Sequence, residues 1–514
     1  LESRIIIMEN TLNLTQEQKD IVAVNLKRGD FMKIYAFAGC TKTTTLREYT
    51  KAYPDKSFLY LAFNTSVAAE ARKAFPSNVK CATTHSVAFN KKGFIYKHKL
   101  GYLRPHDVKD QVAGLTYPVA KYIADVIGKF AASSDRDICE KHLVLDSESS
   151  VEELSWKKSP ETIAFLIKKA KEVWEKMCDT KNLKMPMTHD GYLKLFQLSQ
   201  PKLDYDVILL DEAHDTSDVV IDIFQSQDCA RIAVGDSHQA IYAFRWAENA
   251  LDKLKGNIEM RLTGSFRFGD SVSEVANTIL KNMKKETCAV VGLNKGDKLQ
   301  KVEESKPYTV IARTNGSLFR LAAQTLKERG NFATFGWVGT REQDNWSPYK
   351  HYFFDRIEDV YHLFARNKAG IKDSYIKRFD NFESFLRVIR DKDAPDLELQ
   401  ARTSVVLEYT HEVPDIIRKI ITKSIDPSEA DIKFVTAHRS KGLEFDQVKL
   451  TDDFSDMVIS DPDTGKERLA DDKDVDPQEM NLIYVAATRA KKVLEINPQI
   501  DKLRRFLCQQ KKTS

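Results

Sequence analysis

MKIYAFAGCTKTTTL (residues 32–46) decides the fold. Its first six residues are an apolar, β-branched and aromatic run that reads as a buried strand. A turn of small residues follows, and Lys42-Thr43 opens a helix-like stretch. Strand, tight turn, Lys-Thr and helix is the plan of a phosphate-binding loop. Backbone N–H groups and the helix N-terminus hold phosphates, the lysine neutralises them, and the threonine hydroxyl ligates Mg²⁺. Lys42 and Thr43 fill those two roles. The strict GxxxxGK[ST] string is not met, because Ala36 and Thr41 stand where its glycines would be. Taken alone, the stretch also fits an ordinary strand–turn–helix junction.

A second site removes much of that ambiguity. DVILLDEAHD (206–215) is an apolar strand ending in Asp211 and Glu212. Adjacent acids at a strand's C-terminal edge point differently, so one can hold Mg²⁺ while the other aligns a water, as nucleotide hydrolysis requires. An Asp-Glu pair can also merely favour a helix N-terminus. Paired with a Lys-Thr loop, each after an apolar strand, it points to a nucleotide hydrolase.

Further short apolar runs have the same character: SFLYLAF (57–63), RIAVG (231–235), YTVIA (308–312) and IKFVT (432–436). They fall in two groups, 32–235 and 308–498, which predicts two tandem α/β domains with covered parallel sheets. Residues 93–200 and 341–427 lack such a series. TIAFLIKKAKEVWEKM (162–177), RIEDVYHLFARN (356–367) and NFESFLRVIRD (381–391) read as amphipathic helices, so both stretches are expected to be mainly helical insertions. Residues 452–476 carry ten Asp and Glu with Pro462 and Gly465, which reads as a solvated loop.

Length and charge set the outer bounds. At 514 residues the chain exceeds a single core. Its net charge of +4 permits a nucleic-acid partner without establishing one. No apolar run is long enough to span a membrane. Seven cysteines without a CxxC pair predict reduced thiols in an intracellular protein and no zinc site. The first methionine is Met8, and residues 1–7 are assigned no structural role.

Eight further segments occur in an order that resembles the UvrD/Rep-type superfamily 1 DNA helicases, and within them most closely the F-box DNA helicases. They are LTQEQKDIV (14–22), FNTSVAAEA (63–71), TTHSVAF (83–89), THDGYLKLFQLSQP (188–201), VGDSHQAIYAFRWA (234–247), LTGSFRFG (262–269), VTAHRSKGLEFD (435–446) and NLIYVAATRAKK (481–492). The resemblance covers about residues 12–508. It implies two RecA-like P-loop domains, each carrying its helical insertion. The first motor domain would be 8–92 plus 193–258, with insertion 93–192. The second would be 259–340 plus 428–510, with insertion 341–427.

The resemblance also assigns roles. ATP and Mg²⁺ are the implied cofactors, and Gly39, Cys40, Thr41, Lys42, Thr43 and Thr44 would line the nucleotide. Gln18 would read adenine, while Glu444 would bind the nucleotide sugar or organise the coupling loop. Thr43 and Asp211 would hold the metal. Glu212 would align the attacking water, Gln239 would sense the γ-phosphate, and Arg267 and Arg489 would be arginine fingers. Phe63, Tyr242 and Phe244 would stack on bases of single-stranded DNA, and Asn64, Thr84 and His85 would touch backbone or base edges. A core position is the ordinary alternative for Phe63. KKGFIYKHK (91–99) and KKETC (284–288) either follow phosphates or form solvated lysine faces.

The implied activity is ATP-dependent 3′→5′ translocation and unwinding in DNA repair and recombination control. Single strands and single-strand/duplex junctions are the implied substrates, recombinase filaments an implied partner, and the nucleus the implied location, with the cytoplasm as alternative. Only about a dozen residues precede the motor, so an F-box and a ubiquitin ligase scaffold are not expected. Four positions depart from the family pattern: Thr41, Gly264, Trp246 and His214. Thr41 matters most, since a β-branched residue there restricts the loop. It motivates the competing expectation of an ATPase-deficient DNA-binding pseudo-helicase.

Overall fold

The computed structural model describes residues 14–143, 159–241, 250–330, 333–389, 397–461 and 465–513. The chain divides into two compact units. One comprises residues 1–37 and 41–262, and the other comprises 38–40 and 263–514.

The first unit is built on a six-stranded sheet in which every pairing is parallel. Its strands are β1 (Phe31–Ala36), β2 (Phe58–Ala62), β3 (Val79–Thr83), β4 (Val207–Leu210), β5 (Ala230–Gly235) and β6 (Ile258–Leu262). They lie in the order β3-β2-β4-β5-β1-β6. The expected apolar runs become the four inner strands, which are covered on both faces and therefore predominantly apolar, Lys33 and Arg231 being their charged exceptions. The two edge strands were not foreseen. β6 pairs with β1, so the first unit extends beyond residue 258, to Leu262.

This order serves the site directly. The C-terminal edges of β4, β5 and β1 lie side by side, so the segments following Leu210, Gly235 and Ala36 converge at one end of the sheet.

The expected helix over 162–177 is Pro160–Cys178. It is started by Ser159, whose hydroxyl accepts the Thr162 N–H, with proline at the first position. It packs with the helices Tyr117–Ala132 and His189–Leu198. Their buried Ile123, Phe130, Leu166, Val173 and Phe196 join Leu61, Ile208 and Ala233 of the sheet in one cluster. The helical stretch therefore shares its core with the sheet it interrupts.

In the second unit, seven strands form a parallel sheet. Their order is Ser424–Ile425, Phe335–Trp337, Ile432–Thr436, Tyr308–Ala312, Phe445–Leu450, Ala490–Glu495 and Lys298–Leu299. YTVIA and IKFVT are strands at their expected bounds. Trp337 is fully buried, stacks on Phe434 at 4.8 Å, and donates its indole N–H to Ser424 Oγ at 3.0 Å. The expected helices at 356–367 and 381–391 are Phe354–Phe364 and Phe382–Ile389, with residues 390–396 outside the described ones. Their buried Ile357, Val360, Leu363 and Phe385 pack with Val310 and Phe434 of the sheet.

The acidic segment 452–476 corrects the expectation of a solvated loop. Val458–Ser460 and Glu467–Leu469 form an antiparallel pair, and Phe454, Met457 and Val458 are buried. Among its described acids, Asp474 pairs with Arg468 and Asp453 accepts the Arg313 and Thr314 N–H groups, while the apolar residues supply a packed face. Among the described residues, no helix is long and apolar enough to cross a membrane.

Candidate nucleotide and DNA sites

The helix Lys42–Ala52 begins directly after the loop that leaves β1. Its N-cap, Thr41, has φ 53° and ψ 45°, and no side chain caps the first turn. An uncapped N-terminus presents backbone N–H groups and the positive end of the helix dipole, the arrangement that binds phosphate. Gly39 adopts φ +77°, a value that favours glycine, and Cys40 is buried beside it.

The left-handed conformation of Thr41 costs about 1–2 kcal/mol for a residue with a Cβ. Its neighbours brace it. Gln18 Nε2 donates to Thr41 Oγ1 and to Thr45 Oγ1, both at 3.0 Å, and the Thr45 hydroxyl donates to the Thr41 carbonyl. Gln18 Oε1 accepts the Thr15 N–H, closing a capping box on the helix Gln16–Ala23. Gln18 is thus buried, with both amide hydrogens donated to threonines of the phosphate loop and its helix. Sequence reasoning missed Thr45 as part of this site.

Lys42 Nζ lies 2.9 Å from Glu212 Oε2. Burial alone would lower the Lys42 ammonium, but Glu212, Asp211 and Asp236 outweigh it and hold its pKa above the ordinary value. The lysine is therefore charged at neutral pH. The Thr43 hydroxyl donates to Asp211 Oδ2 at 2.9 Å, and the Tyr60 phenol donates to the same oxygen at 2.5 Å. Burial and the adjacent Glu212 push the Asp211 carboxyl up, a condition that a divalent cation relieves. A hydroxyl beside a carboxylate is a fitting pair for Mg²⁺, which takes one or two protein oxygens and keeps its waters. Thr44 follows in the helix, half-buried.

Glu212 also has a left-handed backbone, φ 50° and ψ 43°, at the strand-to-turn junction after β4. Two non-glycine residues with left-handed backbones thus occur in one site, Thr41 next to Lys42 in the chain and Glu212 paired with Lys42, as functional sites often show. His214 fixes the turn. Its Nδ1 accepts the Asp236 N–H at 3.1 Å, so in the neutral ring the proton sits on Nε2. That nitrogen lies 3.5 Å from Glu212 Oε2 and 3.6 Å from Asp215 Oδ2. A Cβ at Gly235 would come within 2.9 Å of the ring, so glycine lets β5 pass close to it. His214, which departs from the family pattern, ties the acidic turn to the next strand. In the turn after β5, Ser237–Gln239, the Gln239 amide donates to Asp236 Oδ2 at 2.6 Å.

Of the expected DNA contacts in the first unit, Phe63 is 41% exposed and so is not a core residue. Asn64 caps the following helix through the Val67 N–H. Thr84 is buried at the start of the helix Thr84–Ala88, and His85 pairs with Asp190 at 3.0 Å. Tyr242, Phe244 and Trp246 lie outside the described residues.

In the second unit, Arg267 donates to Glu444 Oε2 and to the Thr488 carbonyl, each at 3.2 Å. Glu444 is exposed and lies 3.8 Å from Lys491. Arg489 is 1% exposed. Its guanidinium donates to the carbonyls of Val485 and Leu443 and to Thr488 Oγ1. Gly264 sits in a two-residue strand paired with Val291.

All seven cysteines are free. One group of potential metal ligands occurs among the described residues, Asp135, Cys139 and His142. Its polar atoms are engaged already: His142 bonds Asp135, Ser133 and the Cys139 N–H, and Lys141 pairs with Asp135. It is a hydrogen-bonded knot beside the end of the helix Tyr117–Ala132.

Comparison with known proteins agrees with this geometry. Residues 157–498 match the UvrD-like helicase C-terminal domain, and residues 18–245 match an AAA domain. F-box DNA helicase 1 of Gallus gallus is 34% identical over 527 residues, covering 96% of this chain and 50% of that protein. F-box DNA helicase protein 1 of Schizosaccharomyces pombe is 30% identical over 547 residues, covering 97% and 59%. The chain spans about half the length of these curated relatives. The lysine and threonine set on two carboxylates at the end of a parallel sheet lie within the AAA match, and the UvrD-like match takes in most of the chain: the chain belongs to the UvrD-like helicases.

Proposed function

We propose that this chain is an ATP-dependent DNA helicase and translocase that moves 3′→5′ on single-stranded DNA, with roles in DNA repair and recombination control. The observation that carries the reading is the pairing of Lys42 with Glu212 and of Thr43 with Asp211 in one site. In this reading Thr43 and Asp211 would hold Mg²⁺, which would supply charge stabilisation for phosphoryl transfer. Lys42 leaves Glu212 for the phosphates, and Glu212 then orients the attacking water. Gln239 relays the state of the γ-phosphate. Arg267 supplies positive charge to the transition state. Phe63, Asn64 and His85, with Tyr242 and Phe244, hold the strand. Residues 93–192 and 341–427 act as insertions of the two motor domains, and the nucleus is the proposed location. The decisive measurement is ATP hydrolysis by the purified chain with and without single-stranded DNA. No stimulation by DNA would sink the motor reading.

A second reading, an ATPase-deficient strand-binding protein, is favoured by one observation, the strained Thr41. The brace weighs against it. Strain of about 1–2 kcal/mol is offset by a hydrogen bond from Gln18 that contributes about 0.5–1.5 kcal/mol. Thr41→Gly, which loses both, should therefore change turnover less than about tenfold. Thr41→Val keeps the branch and loses the hydroxyl, so it should be clearly worse than Thr41→Gly. Steady-state ATPase rates of the two variants check this. A gain of several orders of magnitude in Thr41→Gly would instead show that the natural loop is the inactive one.

His214→Ala removes the link from the Asp236 backbone to the acidic turn. Because small misplacements of an aligning group are expensive in rate, kcat should fall about tenfold to a hundredfold. Nucleotide affinity, measured in parallel, should change little.

A further inference from the structure

The 36 residues from Ala71 to His106 contain no Asp or Glu and eight Lys or Arg, in a chain where 75 of 514 residues are acidic. Within them, the helix Thr84–Ala88 runs on through a π-turn, Phe89–Gly93, into the 3₁₀ turn Phe94–Lys99. Burial across 93–99 has a period of three: Gly93, Tyr96 and Lys99 are inside, and the four residues between them are exposed. That is the signature of a 3₁₀ element, whose side chains eclipse at i and i+3.

The buried row is anchored firmly. Tyr96 Oη donates to the Cys178 carbonyl at 3.1 Å, and Lys99 Nζ donates to the carbonyls of Met177 and Asp179 at 3.1 and 2.7 Å. Lys99 thereby satisfies the C-terminal end of the helix Pro160–Cys178. A Cβ at Gly93 would lie 2.7 Å from Phe89 and 2.9 Å from Tyr192, so the chain passes there in close contact. With that row fixed inward, Phe94 and Ile95 are forced outward, 63% and 57% exposed. Lys91, Lys92 and Lys97 flank them, all exposed. The nearby acids are engaged: Asp190 pairs with His85, and Asp179 accepts the Lys181 N–H.

We propose that this ridge abuts the open end of a DNA duplex where the two strands part. The proposal rests on the DNA-binding reading above and deepens it. A rigid apolar pair rimmed by lysines matches what a terminal base pair offers, a flat apolar face with phosphates at both rims. The absence of acids from the segment 71–106, with the neighbouring Asp190 and Asp179 already engaged, gives the charge complementarity. The ridge is also continuous in the chain with the helix carrying Thr84 and His85.

The test compares affinity for a forked duplex and for a single strand of the same tail sequence, by fluorescence anisotropy. In Phe94→Ser/Ile95→Ser the fork affinity should fall about tenfold, within the range of single stacking contributions, while single-strand affinity changes less than about twofold. In Lys91→Gln/Lys92→Gln/Lys97→Gln the salt dependence of fork binding should become shallower, by up to about three in log–log slope. Unchanged fork affinity in the Phe94/Ile95 variant would overturn the ridge, as would an equal loss of single-strand affinity. Failure of the unsubstituted protein to bind either DNA is a different result, because it removes the helicase reading itself.

Discussion

Lys42→Ala should lower DNA-stimulated ATP hydrolysis by at least about a thousandfold, roughly 4 kcal/mol of transition-state stabilisation. The size follows from two losses at one residue. The ammonium that would neutralise the β- and γ-phosphates disappears. So does the cation 2.9 Å from Glu212, leaving two adjacent carboxylates, Asp211 and Glu212, facing each other's charge. Glu212→Gln separates the losses. In the proposed roles it keeps Lys42 for the phosphates and removes only the group that would align water, so turnover should collapse while Mg·ATP affinity is kept. Calorimetric titration with Mg·ATP distinguishes the variants: weakened binding in Lys42→Ala, retained binding in Glu212→Gln. Single-strand affinity should be largely unchanged in both, because neither residue lies in the segments proposed to contact the strand. Turnover within tenfold of the unsubstituted protein in either variant would remove these roles.

The parts of this site that sequence reveals are those that chemistry confines to a spacing. The loop after β1 and the acids after β4 follow buried parallel strands, whose continuous apolar runs are hard to mistake. What was not legible is informative. β6 alternates in burial along IEMRL because it is an edge strand with one covered side. In the second sheet, FDQVKL and AKKVLE carry charges that cross-pair, Lys492 with Asp446 at 2.7 Å and Lys449 with Glu495 at 3.3 Å, so these inner strands read as polar until their partners are known. The acidic segment hid a hairpin for the same reason, since its charges outnumber the few apolar residues that pack. Tyr60 is one more aromatic in an apolar strand by sequence, and only the fold sets its phenol on Asp211. Gln18 is legible as a conspicuous glutamine, but not its double donation to Thr41 and Thr45. The loop's departure from glycine and the residue that braces it lie 23 positions apart.

The two arginines of the second unit should separate by their melting behaviour. Arg267 is partly accessible, with one bond to a carboxylate and one to a carbonyl. Removing it leaves an exposed Glu444 that water can solvate, so Arg267→Ala should leave the melting temperature nearly unchanged. Its turnover should fall about a thousandfold or more, the range of arginine fingers. Arg489 is buried, and its guanidinium joins the end of the helix Pro477–Ala487 to the Leu443 carbonyl. Arg489→Ala leaves those carbonyls without their donor and a cavity the size of the side chain. The two effects together should destabilise the second unit by about 2–4 kcal/mol, so turnover and thermal stability fall in step. Arg489→Lys keeps the charge but cannot bridge three acceptors, and should lie between the alanine variant and the parent in melting. Differential scanning calorimetry beside steady-state ATPase on the three variants decides the matter. If Arg489→Ala melts like the parent and yet fails to hydrolyse ATP, its guanidinium leaves these bonds to work on phosphate, and a purely structural role for it is wrong.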